Sequence, residues 1–394
     1  MRVLMSVQLL NVAGGTTKTA LQLLKHLDTK KNSVELITSI YDGEIYQQLK
    51  SFRISPGITI NKYKNKSSLN KFINGQNPLR YFLIIFLLYK AFHSRKMHNF
   101  DAIVIHDMIS LLLLNLVNTS NVYVLWYLNT QPSIQKLNYF SFNNNVFHNI
   151  LSFPFIRGLS KVNKIGVYDS INQQIVNKYL NKSVVNFSNG ADVEEYVNLK
   201  KFSKTKTSKT FTLLSVGMLM PYRGYEDIFV ALKKLLITKK NVKLIILGRS
   251  DFSLSYKIEL LNQIKKLKIS KNVEFIEYLS ESEKKKLYQN VNVFIFVNDG
   301  NTWGQAAAEA IVAGIPTILT NNIGLAEIVG KNGLLVKPNS PKDIYSKLIN
   351  ILQNKKTIKE KTRILSIKIR KECSWSKFSY KIGQELKFGI KELS

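Results

Sequence analysis

Short apolar runs alternate with amphipathic stretches from one end of the chain to the other. Runs near 2–7, 33–38, 101–105, 121–126, 164–168 and 184–187 are rich in Val, Ile and Leu, which predicts strands buried on both faces. Between them, stretches such as 17–27 and 78–93 repeat apolar positions at helical spacing. "NLKKFSKTKTSKT" (198–210) then breaks the pattern with Lys, Ser and Thr, the composition of a linker. A second series follows, with strands expected at 211–216, 242–247, 273–276, 292–297, 315–319 and 334–336 and helices between them. Strand and helix in regular alternation predict an α/β fold of two doubly wound, Rossmann-like domains with parallel sheets. In such a pair a ligand is expected where strand C-terminal ends face each other across a cleft. The boundaries read as an N-terminal domain over 1–197, a linker over 198–210, a C-terminal domain over 211–372 and a last helix over 373–394. In that helix Trp375, Phe378, Ile382 and Leu386 share one face. It follows a completed sheet, so it must pack on an outside face.

At 394 residues with 45% hydrophobic content, the chain is long enough to bury two ordinary cores. Cys373 is the single cysteine, which excludes a disulfide framework and a Cys-based metal site. The five histidines, at 26, 93, 98, 106 and 148, include no pair at zinc-protease spacing, so no metal site and no cofactor are expected. The net charge of +31 is the unusual bulk feature, and both halves of the chain share it. It reads as a solvated Lys-rich surface or as attraction to an anionic membrane face. Nucleic acid is not an expected partner, because no zinc module, RNP-like aromatic motif or basic heptad helix is present. The apolar run "YFLIIFLLY" covers only 81–89, well under the ~20 residues of a membrane span. The opening "MRVLMSVQLLNVAGG" runs into Gly-Gly without a small-residue cleavage site, so it reads as a first strand rather than a signal peptide. The expected location is the cytoplasm, with a peripheral place on the inner face of the membrane. The apolar and basic stretch "NPLRYFLIIFLLYKAFHSRK" (77–96) motivates that last expectation.

Three motifs carry chemistry. "NVAGGTTKTALQLLKHL" ends the first strand with Gly14, Gly15 and Thr16 ahead of a helix. The glycines permit a tight turn, and the helix N-terminus offers unpaired N–H groups to an anion. A plain structural turn and a deviant P-loop are the competing readings; the latter lacks the glycine before Lys18. "LLSVGMLMPYRGYEDIFVAL" (213–232) places Gly217, Met218 and Arg223 between a strand and a helix, where a guanidinium could neutralise a diphosphate. A surface arginine is the alternative. "IILGRSD" repeats the device with Gly248 and Arg249. "DGNTWGQAAAEA" (299–310) places Asn301, Thr302, Trp303, Gly304 and Gln305 ahead of a helix that carries Glu309. The Cβ direction on a helix aims Glu309 back toward that loop. His106 in "VIHDM" reads as strand-end packing or as a cleft residue, and Asn189-Gly190 in "SNGAD" as a turn or a cleft lining.

The series "SVGMLMPYRG", "LIILG", "NVEFIEYLSESEKKKLYQNVNVFIF" and "NTWGQAAAEAIVAGIPTILTNNIGLAEIVGKNGLLVKPNS" resembles the C-terminal domain of the family 4 retaining glycosyltransferases, of GT-B fold. "AGGTTKTALQLLKHL", "FDAIVIHD", "WYLNTQPS" and "FSNGADVEEY" extend the resemblance into the first half. The resemblance implies transfer of a hexose from a nucleotide-diphosphate sugar, with retention and without an obligatory metal; the basic surface and the stretch 77–96 motivate the expectation of a lipid-linked or cell-envelope polysaccharide acceptor. It also implies that the C-terminal helix packs back toward the N-terminal domain. Arg223 takes the place of the family's phosphate-binding Lys, Glu309 that of the acid holding the donor ribose, and Tyr278 joins the donor-binding set. The departures are Met218 where the family has Arg, Asn301 where it has a sugar-facing Glu, and Asn129 with Thr130 where some members have His and Glu. Asn still donates and accepts hydrogen bonds but brings no charge. Asp299, two residues before Asn301, is a candidate replacement acid. A degenerate member that binds sugar nucleotide or a partner transferase without turnover is the competing reading.

Overall fold

A computed structural model of the chain describes residues 1–10, 15–27, 31–42, 45, 49, 53–55, 58–60, 79–128, 146–197, 199, 210–250, 254–299 and 302–393. These residues form two compact units, Met1–Ser188 with Trp375–Ser394, and Asn189–Ser374. The first unit runs β1 (Arg2–Leu10), α1 (Gly15–Leu27), β2 (Ser33–Asp42), β3 (Arg53–Ser55), β4 (Ile58–Ile60), α2 (Leu79–His93), β5 (Ala102–Ile105), α3 (Met108–Leu113), β6 (Tyr123–Tyr127), α4 (Val146–Ser160), β7 (Lys164–Val167), α5 (Ser170–Tyr179) and β8 (Val184–Asn186). The second runs β9 (Phe211–Val216), α6 (Tyr225–Thr238), β10 (Val242–Leu247), α7 (Leu254–Lys266), β11 (Val273–Ile276), α8 (Glu281–Gln289), β12 (Val293–Phe296), α9 (Gln305–Val312), β13 (Thr317–Thr320), α10 (Gly324–Val329), β14 (Leu334–Val336), α11 (Pro341–Gln353) and α12 (Lys355–Glu372). Helix α13 (Trp375–Leu393) returns to the first unit.

The first sheet is ordered β3-β2-β1-β5-β6-β7-β8, and β4 pairs with β2 beyond β3. Every pairing is parallel. Its central strands read as unbroken apolar runs because both faces are covered. Leu4, Ile103, Ile105, Val124 and Trp126 enter one core with α2, α3 and α4. Their neighbours Val3, Met5, Ala102, Val104, Tyr123 and Leu125 enter the other with α1 and α13. This is the period-2 alternation of a strand between two helical layers. The apolar face foreseen on the last helix, Trp375, Phe378, Ile382 and Leu386, is buried in that second core. Gly389 brings α13 close to the sheet: a Cβ there would sit 2.0 Å from the Tyr123 ring. The Tyr123 hydroxyl donates to Glu385 at 2.7 Å, and Lys164 pairs with the same carboxylate at 2.9 Å.

The second sheet is ordered β11-β10-β9-β12-β13-β14, again all parallel. The chain leaves β9 first toward β10 and β11, then crosses back to β12, β13 and β14. The order reverses between β9 and β12, and in sheets of this kind a ligand sits beyond the strand C-termini at that reversal.

Two expectations need correction. The boundary falls at 188 and 189 rather than at 197, because Asn189–Tyr196 packs with the second unit. The Ala191 N–H donates to the Cys373 carbonyl at 2.9 Å, and the Tyr196 ring lies 5.1 Å from that of Tyr288. The last helix is likewise part of the first unit rather than a separate piece. Nearly all of the expected linker lies outside the described residues. The short strands β3 and β4 were not foreseen, since three residues are too few to show a period.

Candidate functional site

The site in the second unit is built at the reversal of strand order. Strand β9 ends at Gly217, whose N–H donates to the Leu247 carbonyl at 2.9 Å. The next strand end follows the same path: Gly248 N–H donates to the Ile276 carbonyl and Leu219 N–H to the Arg249 carbonyl, both at 2.9 Å. Gly248 has to be glycine, because a Cβ there would meet the Gly217 carbonyl oxygen at 1.8 Å. Two strand ends thus touch backbone to backbone, and Met218 follows directly. The buried Tyr225 hydroxyl donates to the Gly217 carbonyl at 2.8 Å and fixes its direction.

Arg223 sits in a 3-10 turn, Pro221–Arg223, just before α6. Its guanidinium fills the space left by the missing side chain of Gly217: a Cβ there would lie 3.0 Å from Cζ. The group also stacks over Phe296, at the end of β12, at 5.2 Å and over Tyr222 at 5.6 Å. It therefore spans the two strands between which the order reverses. Its Nε and Nη1 are buried and have no hydrogen-bond partner among the described residues. Shielded donors on a permanent cation are costly unless an acceptor engages them. A phosphate oxygen pair is an acceptor of the right charge and shape. Nearby, burial first and then the charges of Glu226 and Asp299 push the Asp227 carboxyl up. Asp299 is exposed, and its N–H donates to the Tyr222 carbonyl at 2.7 Å.

The 302–305 stretch is described from Thr302 onward, and Asn301 lies outside the described residues. The Thr302 and Trp303 carbonyls accept from Gly324 and Leu325 at 3.1 and 2.8 Å, which ties this loop to the start of α10. Trp303 is buried, and no partner for its Nε1 is found among the described residues. Gly304 caps α9 at φ +102°, a backbone that strains any side-chain-bearing residue, and Gln305 opens the helix.

Glu309 is 2% exposed, and its Oε2 lies 3.0 Å from the Nζ of Lys284 on α8. The sequence reading turned this carboxylate toward its own N-terminal loop; the structure engages one oxygen with a neighbouring helix. Lys284 also lies 3.6 Å from Glu281 and 5.2 Å above the Tyr196 ring. Burial, the largest influence, pushes the Lys284 ammonium down, but Glu309 and Glu281 together outweigh it and its pKa is raised. Lys284 was not singled out from sequence, because "EKKKLY" looks like a solvated run. Its spacing of four from Tyr288, which is fully buried, was the available signal. Arg249 is buried and Tyr278 is half exposed in the same unit. Asn189 is buried, and its side chain accepts from the Gly190 N–H at 2.9 Å.

In the first unit, Gly15 and Thr16 open α1, while Gly14, Asn129 and Thr130 lie outside the described residues. His106 follows β5, is buried, and stands edge-on to Tyr127 at 5.7 Å. Burial holds its imidazole pKa down to about 4. Asp107 caps α3 through the Ser110 N–H at 2.8 Å and accepts from Gln8 of β1 at 2.9 Å. The described contacts therefore bring Arg223, Gly217, Gly248 and Phe296 together, and separately Glu309 with Lys284. Among the described residues no cluster of His, Cys, Asp and Glu is placed to hold a metal ion, and no helix is long and apolar enough to cross a membrane.

Two parallel, doubly wound units of this kind define a GT-B glycosyltransferase fold, and solved structures bear this out over nearly the whole chain. Sucrose-phosphate synthase from Thermosynechococcus elongatus superposes with a TM-score of 0.75, covering 99% of both chains at 14% identity. HepE of Anabaena, solved in complex with UDP-glucose, does so at 0.75, covering 98% of this chain and 99% of that one at 15% identity. A glycosyltransferase from Rickettsia africae matches at 0.71 and 16% identity, covering 99% and 98%. At these identities the likeness establishes the fold alone. Sequence goes further for one unit: residues 197–371, most of the second unit, match the model of the family "Glycosyl transferases group 1". An uncharacterized glycosyltransferase of Methanocaldococcus jannaschii is 30% identical over 153 residues, 38% of each chain. The capsular polysaccharide biosynthesis glycosyltransferase CapM of Staphylococcus aureus is 24% identical over 202 residues, 48% of this chain and 52% of the relative. The chain thus spans about half or less of the length of these curated relatives.

Proposed function

We propose that this chain is a retaining glycosyltransferase that moves a hexose from a nucleotide-diphosphate sugar to a lipid-linked or cell-envelope polysaccharide acceptor without a metal ion. The observation that carries the reading is Arg223, whose shielded Nε and Nη1 have no acceptor among the described residues at the reversal of strand order. A donor diphosphate laid at the strand ends beside Gly217 supplies that acceptor, since the Arg223 guanidinium is held against this glycine. The family match of the second unit and the UDP-glucose bound to HepE support the donor class. CapM supports an envelope acceptor, which fits a place on the inner face of the cell membrane.

In the proposed reaction the bond between the anomeric carbon and the diphosphate oxygen breaks while the acceptor oxygen bonds to that carbon on the same face. The acceptor proton passes to the departing phosphate. Arg223 stabilises the charge that grows on the leaving group, so the protein contributes position and electrostatics rather than an essential base. Asn301 keeps hydrogen-bonding groups without the charge of a Glu, whereas Met218 lacks both the charge and the donors of an Arg and leaves the phosphate interaction to Arg223.

The test incubates purified protein with UDP-, GDP- and ADP-sugars and membrane extract as acceptor source, and follows product anomeric configuration by NMR. Transfer from one donor class with retention, undiminished by EDTA, is expected. Saturable donor binding without turnover would instead make the chain a non-catalytic binder of sugar nucleotide.

A further inference from the structure

Helix α2 is apolar on two sides. Ile84, Leu88 and Phe92 are buried in the first core. Phe82, Ile85, Phe86 and Tyr89, spaced i, i+3, i+4 and i+7, form a second stripe that stands 71%, 41%, 54% and 37% exposed. Four large apolar side chains in one exposed stripe mark a surface that something covers. The surrounding charge indicates what. Lys90 holds its ammonium 5.5 Å above the Phe86 ring, and His93 stacks on Tyr89 at 5.5 Å. Lys96 and His98 stand exposed just past the helix. Along the sequence, residues 45–100 hold ten Lys and Arg and no Asp or Glu. A second copy of this chain would set that positive charge against itself. A broad partner that is both apolar in depth and negative at its surface is an anionic lipid bilayer.

We propose that α2 is the membrane-docking face of the first unit, lying in the plane of an anionic bilayer. At about 1.5 Å per residue its 15 residues are too short to cross. The aromatic stripe enters the boundary between headgroups and acyl chains, and Lys90 and Lys96 reach back to lipid phosphates with their stems laid along the apolar surface. This surface lies within the first unit and does not depend on the transfer reading.

The test is sedimentation of the full chain with vesicles of phosphatidylcholine alone or mixed with phosphatidylglycerol, in low and high salt. The wild-type chain binds the anionic vesicles at least about tenfold better than the neutral ones, and salt weakens the binding. A Phe82→Ser, Phe86→Ser, Tyr89→Ser variant and a Lys90→Glu, Lys96→Glu variant each bind at least about tenfold more weakly. Both keep the wild-type thermal midpoint and nucleotide affinity, because all five side chains are exposed. Equal binding by the serine variant, or no preference of the wild-type chain for anionic vesicles, would overturn the proposal. So would a wild-type dimer that the serine variant converts to monomer, which would assign the stripe to a second copy.

Discussion

Replacing Arg223 by Met separates binding from folding. The substitution keeps an unbranched apolar stem over Phe296 and removes the charge and all five donors. Two charge-assisted hydrogen bonds from Nε and Nη1 to phosphate contribute ~1.5–3 kcal/mol each, so their loss costs at least about 3 kcal/mol of binding. That is about two orders of magnitude in Kd for a nucleoside diphosphate. Stability moves differently. The two shielded donors have no partner among the described residues, a cost of ~1–3 kcal/mol that Met does not carry. The stacking over Phe296 and Tyr222 returns ~0.5–1 kcal/mol each. The balance leaves the variant between ~1 kcal/mol less and ~2 kcal/mol more stable, a shift of at most a few degrees in Tm. Titration calorimetry and thermal denaturation on the same preparations give both quantities. A variant that loses several degrees in Tm while keeping its nucleotide affinity would refute the reasoning, since the guanidinium would then be a structural group.

Three further outcomes follow from the same geometry. Lys284→Met removes the ammonium 3.0 Å from the buried Glu309 carboxylate and should cost ~3 kcal/mol in urea denaturation. Adding Glu309→Gln should restore part of that loss, because the buried negative charge that Lys284 offset is then removed as well. Gly248→Ala forces the β9 and β10 ends apart and should cost ~1–3 kcal/mol or more, with nucleotide affinity falling alongside Tm. His106 has a folded pKa of about 4, below its unfolded value near 6.5, so its contribution is fully present above pH 6.5 and is lost as the pH falls toward 4. The loss reaches ~3 kcal/mol, and a His106→Gln variant should be flatter than wild type over that window. Burial, the largest influence on neighbouring Asp107, raises its pKa despite several hydrogen bonds, and this acts in the opposite sense. The difference between the two proteins isolates the histidine.

The architecture was legible because parallel sheets write themselves as apolar runs. The expected strands of the second unit match the observed ones within two residues at every end. Pattern does not report which unit a connecting segment joins. Asn189–Tyr196 follows the last strand of the first sheet in sequence, but packing of Tyr196 against Tyr288 assigns it to the second unit. The site was legible in part. Gly217, Gly248 and Arg223 stood at strand ends where a reversal of order puts them together. Glu309 was placed on the correct helix, but its orientation depends on Lys284, 25 residues earlier on another helix. A residue's partner across helices is a tertiary fact, and only the i, i+4 relation of Lys284 to Tyr288 hinted at an inward face.

The most direct measurement of the central claim compares nucleoside diphosphates with the corresponding monophosphates by titration calorimetry on the wild-type chain and on Arg223→Met. The account predicts that one base is preferred and that its diphosphate binds at least about tenfold tighter than its monophosphate. It also predicts that this advantage disappears in the variant. Equal affinity for the two ligands, or an advantage that survives the loss of Arg223, would contradict the assignment of a diphosphate to the reversal of the second sheet.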